Sequence, residues 1–181
     1  MKKLLLAISF IITSTASSAE YAKALEGLEA LAKQGDLTAQ IKLASAYRKG
    51  LGVPQDYKTA VEWFTLAAEQ GNAMAQYNLG IMHSFGLGVI PDFGTAFKWY
   101  VLAAEQGDTL AQYNLGRLYY LGQGVTENIV YAHMWANLSS SNGFSMGEEL
   151  TELLTELMSP AEIKEARRLQ NKCVNKNYKG C

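Results

Sequence analysis

The stretch AAEQGNAMAQYNLG, Ala67 to Gly80, returns almost intact as AAEQGDTLAQYNLG, Ala103 to Gly116. An internal repeat restricts a fold more than any composition does. Each copy must take the same shape and bury the same face against its neighbour. At this 36-residue offset the correspondence runs on through most of the chain. Gly35, Gly71, Gly107 and Gly143 align, as do Gly50, Gly86 and Gly122. The pairs Gly52-Val53, Gly88-Val89 and Gly124-Val125 coincide, and so do Ala39, Ala75 and Ala111. Gln40, Gln76 and Gln112 share a register, as do Leu43, Leu79 and Leu115. Trp63, Trp99 and Trp135, all the tryptophans present, fall three positions after Ala60, Ala96 and Ala132.

Spacing within a unit sets its shape. Ala39, Leu43 and Tyr47 step by four, which is one face of a helix. Ala60, Trp63, Phe64 and Ala67 follow i, i+3, i+4, i+7, a second helix. Between them lies Gly50-Leu51-Gly52-Val53-Pro54-Gln55, with the residues of a turn. Asp56, Asp92 and Asn128 stand where the second helix needs an N-cap. Gly35, Gly71 and Gly107 end that helix, and Asp36, Asn72 or Asp108 caps the next. Stop and start lie side by side, so consecutive helices fold back on each other. A single hairpin cannot bury its Trp, Tyr and Leu side chains on both sides, but stacked hairpins can. The expected fold is therefore all-α.

The recurring Ala39-Gln40, Leu43-Ala44, Tyr47, Gly50-Leu51-Gly52-Val53, Asp56, Ala60, Trp63 and Ala67-Ala68-Glu69-Gln70-Gly71 resemble the Sel-one-like repeat (SLR) family, relatives of the tetratricopeptide repeats. The resemblance runs from about residue 20 to 143, and the ending YAHMWANLSSSNG…LMSPAEIKEARRLQ is similar to the terminal unit of many bacterial members. It implies a right-handed α-solenoid of about three and a half hairpins, used for protein–protein contacts. The divisions are a half repeat over 20–35, repeats over 36–71, 72–107 and 108–143, and C-terminal capping helices with a tail over 144–181. Some exported members carry a cysteine pair in every repeat and have been proposed to bind or hydrolyse β-lactams. This chain lacks those pairs.

The two ends differ from the array. Lys2 and Lys3 precede the apolar run Leu4 to Ile12, and Ser17-Ser18-Ala19 suits signal-peptidase cleavage. Residues 1–19 are therefore expected to be a signal peptide, and the mature chain periplasmic or secreted. The apolar run is too short to span a bilayer. Toward the C-terminus, Leu150, Leu153, Leu154 and Leu157 form an apolar helical stripe. Ser159-Pro160-Ala161-Glu162 is a capping box opening a last helix to about Cys173. Cys173 and Cys181, the two cysteines, suit one local disulfide in an oxidising compartment, pinning the tail rather than the core; free thiols are the alternative.

Composition narrows the function. The net charge is −1, near −3 once Lys2 and Lys3 are removed, which gives no general pull toward nucleic acid. No cofactor motif is present. Gly143-Phe144-Ser145-Met146-Gly147 spells the G-x-S-x-G of hydrolases, yet Gly143 is simply the fourth repeat glycine with helices on either side. The two histidines, His83 and His133, occupy unrelated repeat positions and lack the further ligands a metal site needs. Charge divides at the C-terminus, where Glu148, Glu149, Glu152, Glu156 and Glu162 precede Lys164, Arg167, Arg168, Lys172, Lys176 and Lys179.

By the resemblance, the first helix of each hairpin lines a concave face. That face would carry Ile41, Ser45, Arg48 and Lys49, then Tyr77, Asn78, Ile81, Ser84 and Phe85, then Tyr113, Asn114, Arg117, Tyr120 and Leu121. Tyr77-Asn78 and Tyr113-Asn114 recur, which fits either inter-repeat packing or a contact made by every unit. Ile81 against Arg117, and Phe85 against Leu121, vary between units and are candidates for partner choice. The expectation is a monomeric, non-catalytic binder of a protein or peptide. A hydrolase or penicillin-binding enzyme, and a peptidoglycan-associated structural protein, are the alternatives.

Overall fold

The computed structural model describes residues 25–181. The leader expected over 1–19, and the start of the half repeat, lie outside the described residues. Nine helices follow one another among the described residues: 25–33 (α1), Leu37–Lys49 (α2), Tyr57–Glu69 (α3), Ala73–Phe85 (α4), Phe93–Ala104 (α5), Thr109–Leu121 (α6), Ile129–Ser141 (α7), Ser145–Leu157 (α8) and Pro160–Asn175 (α9). No strand occurs among them. The fold is an α-solenoid of helical hairpins in which α2 to α8 pack mainly on their neighbours in the chain, while α9 folds back onto α7. Successive first helices also touch directly, α4 on α6 and α6 on α8.

The boundaries follow from local chemistry. Asp56, Asp92 and Asn128 accept hydrogen bonds from the free amides that open α3, α5 and α7. Asp36, Asn72 and Asp108 do the same for α2, α4 and α6. Ser159 and Glu162 complete the capping box of α9, which runs to Asn175 rather than stopping near Cys173. The second glycine of the last two G-x-G turns has a separate duty. Gly88 has φ 75° and lies on the backbone of Tyr57 and Lys58; Gly124 has φ 71° and lies on that of Phe93 and Gly94. The turn of one repeat thus seats against the opening of the previous second helix, where a Cβ would not fit.

Packing corrects the tryptophan reading. Trp63 and Trp99 are only half-buried, and Trp135 alone of the three is buried. The following residue, Phe64 or Tyr100, is the one taken fully into the core. Its ring needs room on the facing helix. Gly80 supplies that room for Tyr100, whose ring occupies the space a Cβ would take. In the next unit the small pair Gly116 and Ala136 lets α6 and α7 approach, so that a Cβ at Gly116 would lie 3.0 Å from the carbonyl of Ala132. Large-against-small matching of this kind keeps an interior at close-packed density.

A buried amide ladder runs through the array. The Nε2 groups of Gln40, Gln76 and Gln112 donate to the carbonyls of Ala32, Ala68 and Ala104, at 3.1, 3.1 and 3.5 Å. Their Oε1 atoms accept from Gln70, Gln106 and Asn142, at 2.7, 2.7 and 3.0 Å. Each rung joins the preceding hairpin to both helices of its own. A buried amide satisfied on both sides fixes register, because any slip would leave its polar atoms unpaired.

The C-terminal part departs from expectation in two ways. Of the four leucines on α8 only Leu154 is buried, while Leu153 and Leu157 face solvent, so the apolar stripe is largely uncovered. Cys173 and Cys181 are bonded, with Cα atoms 5.3 Å apart, and Cys173 is 2% exposed within the core cluster of Trp135 and Leu138. The bridge therefore holds the tail to the core itself. Tyr178 packs on Gly107, and the amide of Gly180 donates to Glu105 at 2.8 Å.

Candidate functional site

The first helices of the hairpins present a recurrent exposed face. On α4, Met74, Asn78, Ile81 and Phe85 recur at i, i+4, i+7 and i+11, one line along a helix. Leu110, Asn114, Arg117 and Leu121 hold the same register on α6, and Met146, Leu150, Leu153 and Leu157 hold it on α8. Met74, Phe85, Leu110, Leu121, Met146, Leu153 and Leu157 are all exposed, with Phe85 65% accessible and Leu121 49%. Isolated exposed apolar residues are ordinary, but a line repeated on three touching helices is not.

Between α4, α5 and α6 this face sinks into a cleft of about 190 Å³. Phe85, Phe93, Leu118 and Leu121 give it apolar walls; Ser84, Asn114, Arg117 and Gln123 bring polar groups. Tyr100 closes its floor, with its hydroxyl 3.3 Å from Ser84 Oγ. Burial pushes the Tyr100 phenol up to about 12, so it stays protonated. The Arg117 guanidinium sits 5.8 Å from the Tyr113 ring centroid and is exposed.

The residues expected on this face separate into groups. Ser84, Phe85, Asn114, Arg117 and Leu121 meet at the cleft. Asn78 does not belong there: it is 9% exposed, and its amide donates to the Met74 carbonyl of its own helix at 2.7 Å. Tyr77 is half-buried with its ring centroid 6.1 Å from that of Tyr100, and Ile81 packs on the same core. Tyr113 leans edge-on against Phe144, and Tyr120 packs in the cluster around Leu154. These aromatics serve the contact between repeats. Met74, Leu110, Met146, Leu153 and Leu157 were missed on this face, although the 36-residue offset aligns Leu153 with Arg117 and Leu157 with Leu121, and Met74, Leu110 and Met146 with one another. Phe93 and Tyr100 come from the second helix and carried no sequence signal for this face.

The remaining chemical candidates are dispersed. Ser145 opens α8 at a helix–helix turn, where Phe144 is the N-cap. His83 lies on α4 and His133 on α7. His133 is buried, with Nε2 3.0 Å from Thr155 Oγ1. Burial lowers its pKa from 6.5, and Arg167 adds to the effect. The unfolded chain then binds the proton more readily than the folded one. This contribution is complete above the unfolded value and is lost as the pH falls through it. Thermal melts should therefore drop as the pH falls below about 6.5, with His83, lowered by burial in the same sense, contributing as well, and His133→Gln should make that slope shallower. An equally steep slope in the variant would refute the assignment.

Stacked hairpins with conserved spacing and one exposed first-helix face define a helical-repeat protein. The family description "Sel1 repeat" matches residues 37–72, 73–108 and 109–144. The chain belongs to the Sel1 repeat family. Among solved structures it is similar to a Sel1 repeat protein from Oxalobacter formigenes, at 36% identity and TM-score 0.65, covering 72% of this chain and 98% of that one. It is also similar to c5321, a protective antigen of uropathogenic Escherichia coli displaying an SLR fold, at 30% identity and TM-score 0.66, covering 87% of this chain and 42% of that one. No curated protein matches the chain. Sel1 repeat proteins are generally protein-interaction scaffolds. No helix among the described residues is long and apolar enough to cross a membrane.

Proposed function

We propose that this chain is an exported, monomeric scaffold that binds a protein or peptide on the face of α4, α6 and α8, without chemistry of its own. The supporting observation is the apolar line repeated on those three helices, with the cleft of Phe85, Arg117 and Leu121 at its centre. Aromatic and arginine side chains beside an apolar pocket are what interfaces use as energetic centres. The Cys173–Cys181 bond supports an oxidising compartment, in keeping with a leader over 1–19 and a mature chain that begins near Glu20. In this reading residues 20–143 form the repeats, and 144–181 form the cap.

Affinity capture from periplasmic extract tests the proposal. Phe85→Ser with Leu121→Ser should remove the partners held by the natural chain, each anchor costing about 2 kcal/mol of binding. Both side chains are exposed, so circular dichroism should stay unchanged. An unaltered set of captured proteins would place binding elsewhere.

A further inference from the structure

The face just described is sorted by charge. α2, α4 and α6 contain no Asp or Glu, and their cations are Lys42, Arg48, Lys49 and Arg117. Lys42 and Lys49 occupy on α2 the register of Asn114 and Leu121 on α6. None of the four cations is in a salt bridge among the described residues. The Nε of Arg48 is buried and lacks a hydrogen-bond partner. The four aspartates that cap helices beside the face are already engaged. Asp36 and Asp108 accept from the amides of Ala39 and Ala111. Asp56 and Asp92 cap α3 and α5. Along α8 the sign reverses, with Glu148, Glu149, Glu152 and Glu156 and no Lys or Arg.

From this, and resting on the α4 and α6 part of the binding face proposed above, extended onto α2, we infer that the partner is an acidic, amphipathic segment lying across α2, α4 and α6. Its apolar side chains occupy the line of Met74, Phe85 and Leu121, and its carboxylates meet Lys42, Arg48, Lys49 and Arg117. The Arg117 guanidinium beside the apolar cleft, which no carboxylate engages among the described residues, gains a charge-assisted hydrogen bond from a carboxylate and nothing comparable from an uncharged group. A basic segment would be repelled along these helices. The run of glutamates on α8 marks where an acidic segment must end.

Fluorescence anisotropy with three labelled alternating peptides, Asp-Leu, Ser-Leu and Lys-Leu, tests this on the mature chain. The Asp-Leu peptide should bind about tenfold or more tighter than Ser-Leu, with Lys-Leu weakest, and the gap should shrink as salt rises. Lys49→Glu with Arg117→Glu, both at exposed positions, should invert the order. Equal binding of Asp-Leu and Ser-Leu, or an unchanged order in the reversed variant, would overturn the charge inference and leave the apolar face standing. If no peptide binds, both the inference and the proposed face fail.

Discussion

Replacing Tyr100 by alanine should destabilise the protein by about 3–5 kcal/mol, the usual cost of removing a large buried ring. Tyr100 is 1% exposed and belongs to the core cluster that joins α5, α6 and α7. Its ring also fills the space over Gly80, so the gap would open between α4 and α5 of the same hairpin and could not close by a side-chain shift alone. The neighbouring Trp99 is half-buried, and Trp99→Ala should cost less despite the larger side chain. Urea denaturation of both variants decides the matter. Equal losses, or a larger loss for Trp99→Ala, would refute this account of the core.

Gly124→Ala should cost about 2–5 kcal/mol, from two sources that add. At φ 71° an L-residue is strained by about 1–2 kcal/mol. The added Cβ would also enter the backbone of Phe93 and Gly94, and overpacking typically costs about 1–3 kcal/mol. Gly143→Ala is the control. It shares the positive φ, at 92°, but a Cβ there meets nothing within 4 Å. The control should therefore lose only the strain. Matching losses in the two variants would mean that the turn does not press on the preceding repeat.

Much of the fold was legible because it is written in local rules. The caps at Asp36, Asp56, Asn72, Asp92, Asp108 and Asn128 depend on one side chain and amides two or three residues ahead. What escaped was settled by neighbours distant in sequence. Gln40, Gln76 and Gln112 were visibly aligned, but their ladder exists only once three helices meet around each amide. Helical periodicity could not say that Tyr100 outranks Trp99, since adjacent positions differ by less than the width of a helix face. The candidate site was half legible. The register of Phe85, Arg117 and Leu121 could be read from spacing. The loss of Asn78 to its own helix could not, nor could the exposure of Leu153 and Leu157 on α8.

The hydrogen bond from Gly180 to Glu105 reaches back 75 residues. With the Cys173–Cys181 bond it acts as a stitch across the last hairpins. A row of similar units otherwise unravels from whichever end is looser. Amide exchange should therefore be slowest in the hairpins under this sewn hem.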